Sequence, residues 1–276
     1  MIVFPNCKIN LGLRILRKRD DGYHDLETVF YPLPFTDVLE IITDRHPAPQ
    51  ENVRFSQSGL AVSGTEADNL CVKAYRLLKE NYPDLPAVQM HLYKNIPMGA
   101  GLGGGSADAA FTLKLLNEQY KLEIPAETLL QYALKLGSDC PFFLLNQPCL
   151  ATGRGEKMEP VATTLHNHQL ILVNPGIHVP TAGAFAGIEP GIPDEQLTTI
   201  ICEPVEHWKD RLINDFEKTV FRRFPEIGQI KQALYRAGAL YAAMSGSGSS
   251  VYGIFSGDRE LSLSFPPGWL VKNFRV

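Results

Sequence analysis

Residues 97–108 read Pro97-Met98-Gly99-Ala100-Gly101-Leu102-Gly103-Gly104-Gly105-Ser106-Ala107-Asp108, with five glycines in the seven positions from Gly99 to Gly105. Glycine reaches backbone conformations closed to other residues and lets amides approach a ligand without side-chain obstruction. Upstream, Val88, Met90 and Leu92 alternate with Gln89 and His91, the period of a half-buried strand that stops by Pro97. Downstream, Ala109, Leu113, Leu116 and Tyr120 share one face of a helix that opens within Gly104-Gly105-Ser106. A strand, a glycine loop and a helix N-terminus together present unpaired N–H groups and the positive end of a dipole, which suits a polyphosphate. A plain tight connection is the competing use of such a turn.

Several phosphate loops share parts of this pattern. A Walker A loop ends in Gly-Lys-Ser/Thr, whereas Ser106 follows Gly105 with no lysine. Gly99-x-Gly101-x-x-Gly104 satisfies the dinucleotide-binding pattern, and Glu123 falls near the distance of its acidic partner. Against that reading, a central parallel strand is continuously apolar, but the strand ahead of the loop alternates. The segment around Glu123 is also short and cut by Pro125. A nicotinamide-dependent oxidoreductase is therefore the distant rival.

Three segments, in order along the chain, carry a resemblance to the GHMP kinase superfamily of small-molecule kinases. The glycine loop from Pro97 to Ser106 resembles its ATP-binding signature, Pro5-Asn6-Cys7-Lys8-Ile9-Asn10-Leu11 its N-terminal motif, and Ala243-Met244-Ser245-Gly246-Ser247-Gly248-Ser249-Ser250 its third motif, a Gly/Ser turn. Four more segments narrow the match. They are Gly22-Tyr23-His24-Asp25-Leu26-Glu27-Thr28-Val29-Phe30, Gly137-Ser138-Asp139-Cys140-Pro141-Phe142-Phe143, Ala151-Thr152-Gly153-Arg154-Gly155-Glu156, and Asn174-Pro175-Gly176 followed by Pro180-Thr181. These are similar to the branch that uses ATP to phosphorylate the 2-hydroxyl of a cytidyl-linked polyol on the non-mevalonate route to isoprenoid precursors. The alternatives are a sister kinase acting on homoserine, mevalonate or a sugar, and a non-catalytic ligand sensor on the same fold.

The resemblance implies a role for each matching residue. Asp139 is the expected general base, and Lys8 the cation that keeps it ionised and oriented. Taken alone, Asp139 follows a helix ending at Gly137, where aspartate commonly makes a turn hydrogen bond, and Lys8 reads equally as a solvated strand lysine. For ATP the resemblance implies Pro97, Met98, Gly99, Ala100, Gly101, Leu102, Gly103, Gly104, Gly105, Ser106 and Ala107, with Asn69, Leu70 and Lys94 around the adenine. Asn69 can instead cap its helix, and Lys94 can be a solvated strand end. For the substrate it implies Tyr23 and Phe185 stacked on the base, His24 reading the base edge and Phe30 lining the pocket. Asn10 and Thr181 are expected at the polyol or phosphate portion, with Ser245 and Gly246 in a closing turn. Mg²⁺ is expected with ATP, with no protein ligand assigned. Asn214-Asp215-Phe216-Glu217 also matches a family stretch and receives no role beyond its helix.

Further out, a strand is expected over residues 35–43, a loop around 46–52, a helix from Leu70 after Asp68-Asn69, and another from about Ala126 to Gly137. Residues 156–170 turn polar before a strand at Leu170 to Val173. A loop over 174–191, helices over about 206–224 and 226–237, and a final strand pair around the Gly/Ser turn complete the chain. Helices and alternating strands in this mixed order favour α+β over a doubly wound parallel sheet. The expected fold is a two-domain GHMP-kinase fold. Residues 1–160 would bind ATP and residues 161–276 complete the substrate pocket, with the active site in the inter-domain cleft.

Composition narrows the setting. A net charge of −4 over 276 residues leaves no electrostatic footprint for nucleic acid or an anionic membrane. Five scattered cysteines form neither a Cys-x-x-Cys pair nor a zinc-spaced cluster, so reduced thiols are expected. The start, Met1-Ile2-Val3-Phe4-Pro5-Asn6, lacks the marks of a signal peptide, and no apolar run nears the roughly 18 residues of a membrane span. A cytoplasmic monomer or homodimer acting on small molecules is expected.

Overall fold

The computed structural model describes residues 1–48, 52–62, 64–163, 165–185, 187–257, 261 and 263–276. Residues 49–51, 164 and 186, which fall in expected loops and polar stretches, lie outside the described residues. In chain order the strands are β1 (Ile2–Val3), β2 (Asn6–Lys18), β3 (His24–Thr36), β4 (Val38–Thr43), β5 (Val53–Gly59), β6 (Val88–Lys94), β7 (Cys149–Gly153), β8 (Lys157–Pro160), β9 (His168–Asn174), β10 (Tyr241–Met244), β11 (Val251–Ser256) and β12 (Leu270–Arg275). The α-helices are α1 (Leu70–Asn81), α2 (Gly104–Tyr120), α3 (Ala126–Leu136), α4 (Cys140–Leu145), α5 (Thr181–Phe185), α6 (Leu197–Ile201), α7 (Phe216–Arg223) and α8 (Pro225–Arg236).

One compact unit takes in Met1–Cys7, Pro34–Met98 and Gly103–Asn146. Its sheet has the order β1-β4-β6-β5, with β4 antiparallel and β5 parallel to β6. Along β6 the pleat turns Val88, Met90, Leu92 and Lys94 to the buried side. Leu39, Ile41, Tyr75, Leu78, Met90, Leu113 and Leu116 share one apolar core between sheet and helices, and burying each large apolar side chain contributes about 1.5–3 kcal/mol. The Asn69 side chain accepts the Cys71 N–H at 2.9 Å and so caps α1.

The second unit takes in Lys8–Leu33, Gly99–Leu102 and Gln147–Val276. It holds two sheets, β2-β3-β7-β8 and β10-β11-β9-β12. In the latter, Val173 pairs with Val251 on one side and Val271 on the other, both antiparallel. Leu13, Ile15, Val173, Phe216, Ile230, Leu234, Met244 and Phe255 form its core.

The α+β expectation holds, and the helices opening at Leu70, Gly104 and Ala126 lie where the periodicity put them. Four expectations change. The strand over 35–43 breaks at Asp37, whose buried carboxylate accepts the N–H groups of Asn95 and Ile96. The helix over 206–224 resolves into a 3₁₀ turn at Val205–His207 and α7. Between them Asp210 takes φ +65°, and Asn214 bridges to Leu13 and sends its side chain to distant carbonyls. The loop over 174–191 contains α5. The two units are interleaved along the chain, with no single break near residue 160.

Candidate active site

In the second unit, the segment Gly99–Leu102 is fastened by three hydrogen bonds. The Lys8 N–H donates to Leu102 O at 3.0 Å, the Ser250 N–H to Ala100 O at 3.1 Å, and the Ser245 hydroxyl to Gly101 O at 2.8 Å. Gly101 has φ +79°, and a Cβ there would stand 2.0 Å from Ser245 O, so no other residue fits. The chain continues into Gly103, left-handed at φ 69°, which is the N-cap residue of α2. The Ala107 N–H reaches back to Gly103 O at 2.9 Å. That leaves the amides of Gly104, Gly105 and Ser106 without helical acceptors. No acidic side chain occupies the first turn of α2, so the positive end of its dipole is unopposed by the helix itself.

Within the first unit a cavity of about 260 Å³ opens beside this turn. Phe55, Val62, Leu70, Leu92 and Met98 line it with apolar surface, and Thr65, Glu66, Asp68, Asn69, Gly105 and Asp108 add polar groups and backbone. Thus Asn69, Leu70, Met98 and Gly105, all expected around the nucleotide, come together, and Asn69 caps its helix as well. Lys94 departs from both readings of it. It is neither a solvated strand end nor part of the cavity lining, because its ammonium is wholly buried against Asp37 and Asp108.

Asp139 stands at the N-cap position of α4 (φ −83°, ψ −15°), and its side chain makes no cap hydrogen bond to that helix. The α2 terminus lies next to this turn: a Cβ on Gly137 would stand 3.9 Å from Ser106 Oγ. Burial pushes the Cys140 thiol up to about 12, against a hydrogen bond with Ser106 that pulls it down.

In the second unit, Lys8 is 4% exposed, so the solvated reading fails. Its Nζ donates to Asn10 Oδ1 at 2.6 Å and lies 4.6 Å from the centre of the Phe30 ring. Asn10 Nδ2 donates to Thr28 Oγ1 at 3.0 Å, and the Asn10 N–H donates to Ser245 Oγ at 3.2 Å. Lys8, Asn10, Phe30 and Ser245 thus form one buried cluster. Thr181 Oγ1 lies 3.4 Å from Ser247 Oγ, at the surface.

The aromatic residues are arranged differently from the expected pair. His24, not Tyr23, lies face to face with Phe185, with centroids 4.7 Å apart and planes 19° apart. Phe216 meets Phe185 edge-on at 4.8 Å. Tyr23 is 57% exposed, its N–H donates to the Asp21 carboxylate, and the Arg154 guanidinium lies 5.0 Å from its ring centre. The β2–β3 turn and Arg154 therefore hold Tyr23, while apolar packing holds Phe185.

Two residues given no role support the Gly/Ser turn. Asn214 Nδ2 donates to Met244 O and to Gly246 O, both at 2.8 Å, and Glu217 accepts the Met244 N–H at 2.8 Å. Burial pushes the Glu217 carboxyl up, while Lys231 pulls it down. The family-like stretch Asn214-Asp215-Phe216-Glu217 was the available signal. Asn214→Ala is expected to lower stability by about 2–3 kcal/mol, because two buried carbonyls lose their donor. Thermal denaturation checks this, and an unchanged melting temperature would show that the turn stands without Asn214.

The fold and the glycine turn are those of a small-molecule kinase of the GHMP type. The family profile described as GHMP kinases N terminal domain matches residues 69–147, and GHMP kinases C terminal matches residues 205–262. A relative from Bacteroides fragilis named 4-diphosphocytidyl-2-C-methyl-D-erythritol kinase is 54% identical, over 95% of this chain and 94% of its own. A relative of the same name from Cytophaga hutchinsonii is 49% identical, over 93% of each. A crystal structure of 4-(cytidine 5'-diphospho)-2C-methyl-D-erythritol kinase superposes with TM-score 0.75 at 32% identity, covering 92% of this chain and 90% of that one. Mevalonate kinase from Methanococcus jannaschii shares the fold at TM-score 0.67 and 13% identity, covering 92% and 90%. The chain belongs to the 4-diphosphocytidyl-2-C-methyl-D-erythritol kinase family.

Proposed function

We propose that this chain transfers the γ-phosphoryl group of ATP to the 2-hydroxyl of 4-diphosphocytidyl-2-C-methyl-D-erythritol, giving the 2-phosphate and ADP. The observation that carries the reading is that relatives of this name match nearly the whole chain at about half identity. The adenine enters the cavity lined by Leu70 and Met98, and the phosphates meet the free amides of Gly104, Gly105 and Ser106. The substrate oxygen attacks the γ-phosphorus, the bond to the β-phosphate oxygen breaks, and Asp139 takes the hydroxyl proton. Lys8, fixed by Asn10, supplies a preorganised positive charge suited to the developing alkoxide. Mg²⁺ belongs to the MgATP substrate and neutralises the triphosphate. Among the described residues no group of three or more His, Cys, Asp or Glu could hold a metal ion, and no protein ligand is assigned to it. No helix among the described residues is long and apolar enough to cross a membrane.

Tyr23, His24 and Phe185 bind the cytidyl end. Stacking contributes about 1–3 kcal/mol per base, so Tyr23→Ala is expected to raise the KM of the cytidyl substrate about 5- to 100-fold and to change that of MgATP little. Equal changes in both constants would remove Tyr23 from the base site. The reaction itself is tested by ADP release with MgATP and the cytidyl substrate, homoserine, mevalonate or galactose. Turnover with the cytidyl substrate alone is expected. Turnover with another alcohol keeps the kinase and discards the base site, and silence with all four alongside nucleotide binding favours a ligand sensor.

A further inference from the structure

The glycine turn lacks a lysine in its own sequence, yet one lies directly beneath it. Lys94 ends β6 on the buried side, and a Cβ on Gly104 would stand 3.0 Å from its Nζ. That Nζ donates to Asp37 Oδ2 at 2.5 Å and to Asp108 Oδ2 at 2.6 Å, and all three side chains are at most 4% exposed. The second oxygen of Asp37 is used by the Asn95 and Ile96 amides at 2.6 and 2.8 Å. Asp108 is different: its Oδ1 is buried with no hydrogen-bond partner, and the residue lines the cavity beside the turn. Fully ionised, the cluster carries two negative charges and one positive. A net negative charge buried there opposes a polyphosphate on the amides above it, in surroundings where screening is weak. One proton on Asp108 Oδ1 makes the cluster neutral and leaves the Lys94 charge balanced by Asp37 alone.

Resting on the reading that this turn binds MgATP, we propose that Lys94 and Asp108 are positioning residues for it, and that Asp108 Oδ1 takes up a proton from solvent as the nucleotide binds. Burial already pushes the Asp108 carboxyl up to about 7, with Lys94 pulling it down and Asp37 pushing it further up. Burial alone would lower the Lys94 ammonium, but the two carboxylates raise it, so it stays charged. From α1, Cys71 faces the cluster with a thiol that burial holds protonated, and Cys140 of α4, facing Ser106, does the same with its thiol up at about 12. Asp108 is therefore the group of this cluster that titrates near neutrality. An anion above it raises its pKa further, so nucleotide affinity is greatest below the free-state value and falls as pH rises through it.

Each unit of upward shift corresponds to a tenfold change in binding. The Kd for MgATP is expected to rise about three- to tenfold between pH 6.5 and 8.5. Titration calorimetry at pH 7.5, in buffers of differing ionisation enthalpy, should show uptake of about half a proton per nucleotide. In Asp108→Asn, which keeps the shape of the neutral acid, both the uptake and the pH slope are expected to vanish. A purely structural role would move the melting temperature and leave proton uptake intact. Zero uptake in the unmodified protein, or uptake persisting in Asp108→Asn, overturns the proposal. Absence of MgATP binding overturns the kinase reading itself, and this proposal with it. Should Asp108→Asn not fold, nucleotide-induced infrared difference spectra of the unmodified protein decide: a gained protonated-carboxyl band supports the proposal, and its absence refutes it.

Discussion

Asp139→Asn is expected to lower kcat about 10²- to 10⁴-fold, the range that a positioned general base contributes, while the Kd for MgATP stays within about twofold. The amide keeps the size of the carboxylate but cannot take the hydroxyl proton, so the loss falls on the chemical step. Stability should change by no more than about 1 kcal/mol, because the amide is nearly isosteric with the carboxylate. ADP release under saturating substrates measures the first quantity, calorimetry the second and thermal denaturation the third. A kcat within about tenfold of the unmodified enzyme would exclude Asp139 as the base. A loss of nucleotide affinity equal to the loss in kcat would make it a binding residue instead.

The second large effect is expected at Gly101. Its Cβ would lie 2.0 Å from the Ser245 carbonyl oxygen, a backbone atom that cannot swing aside, at a φ of +79°. Gly101→Ala therefore carries a conformational cost of about 1–2 kcal/mol together with a collision that displaces the segment from Ser245. The Ser245 hydroxyl then loses Gly101 O, its acceptor at 2.8 Å. At least a hundredfold loss in kcat/KM is expected, accompanied by a lowered melting temperature. Gly176→Ala separates the two causes, since Gly176 has φ +74° with nothing within 4 Å of a Cβ. It should show the conformational cost alone, as a small loss of stability. If both alanine variants behave alike, the contact with Ser245 is unimportant and the glycine is needed for its dihedral angle only.

What could be read from the sequence was what local chemistry decides. The start of α2 follows from glycine flexibility and helical spacing, the start of α1 from Asn69, and the end of α3 from Gly137. The break at Asp37 was hidden because its cause lies 57–59 residues away, at Lys94, Asn95 and Ile96. The interruption before α7 was hidden likewise, since Asn214 is bound to carbonyls 30 and 32 residues further on. Lys94 had a signal that went unused: it shares the parity of Val88, Met90 and Leu92, and so points inward with them. The face-to-face placement of His24 and Phe185 joins residues far apart in the chain, beyond the reach of any periodicity.

The interleaving of the two units sets a timetable for synthesis. Every segment of the first unit has left the ribosome once Asn146 has emerged, so its core can close while nearly half the chain is still to emerge. The second unit opens earlier, at Lys8, yet its outermost strand β12 joins β9 only when Leu270–Arg275 appears. Residues 8–33 can pair with one another as β2 and β3, but Leu13 and Ile15 wait for core partners as distant as Val251 and Phe255. During that interval their apolar side chains are open to wrong pairing or to capture by a chaperone.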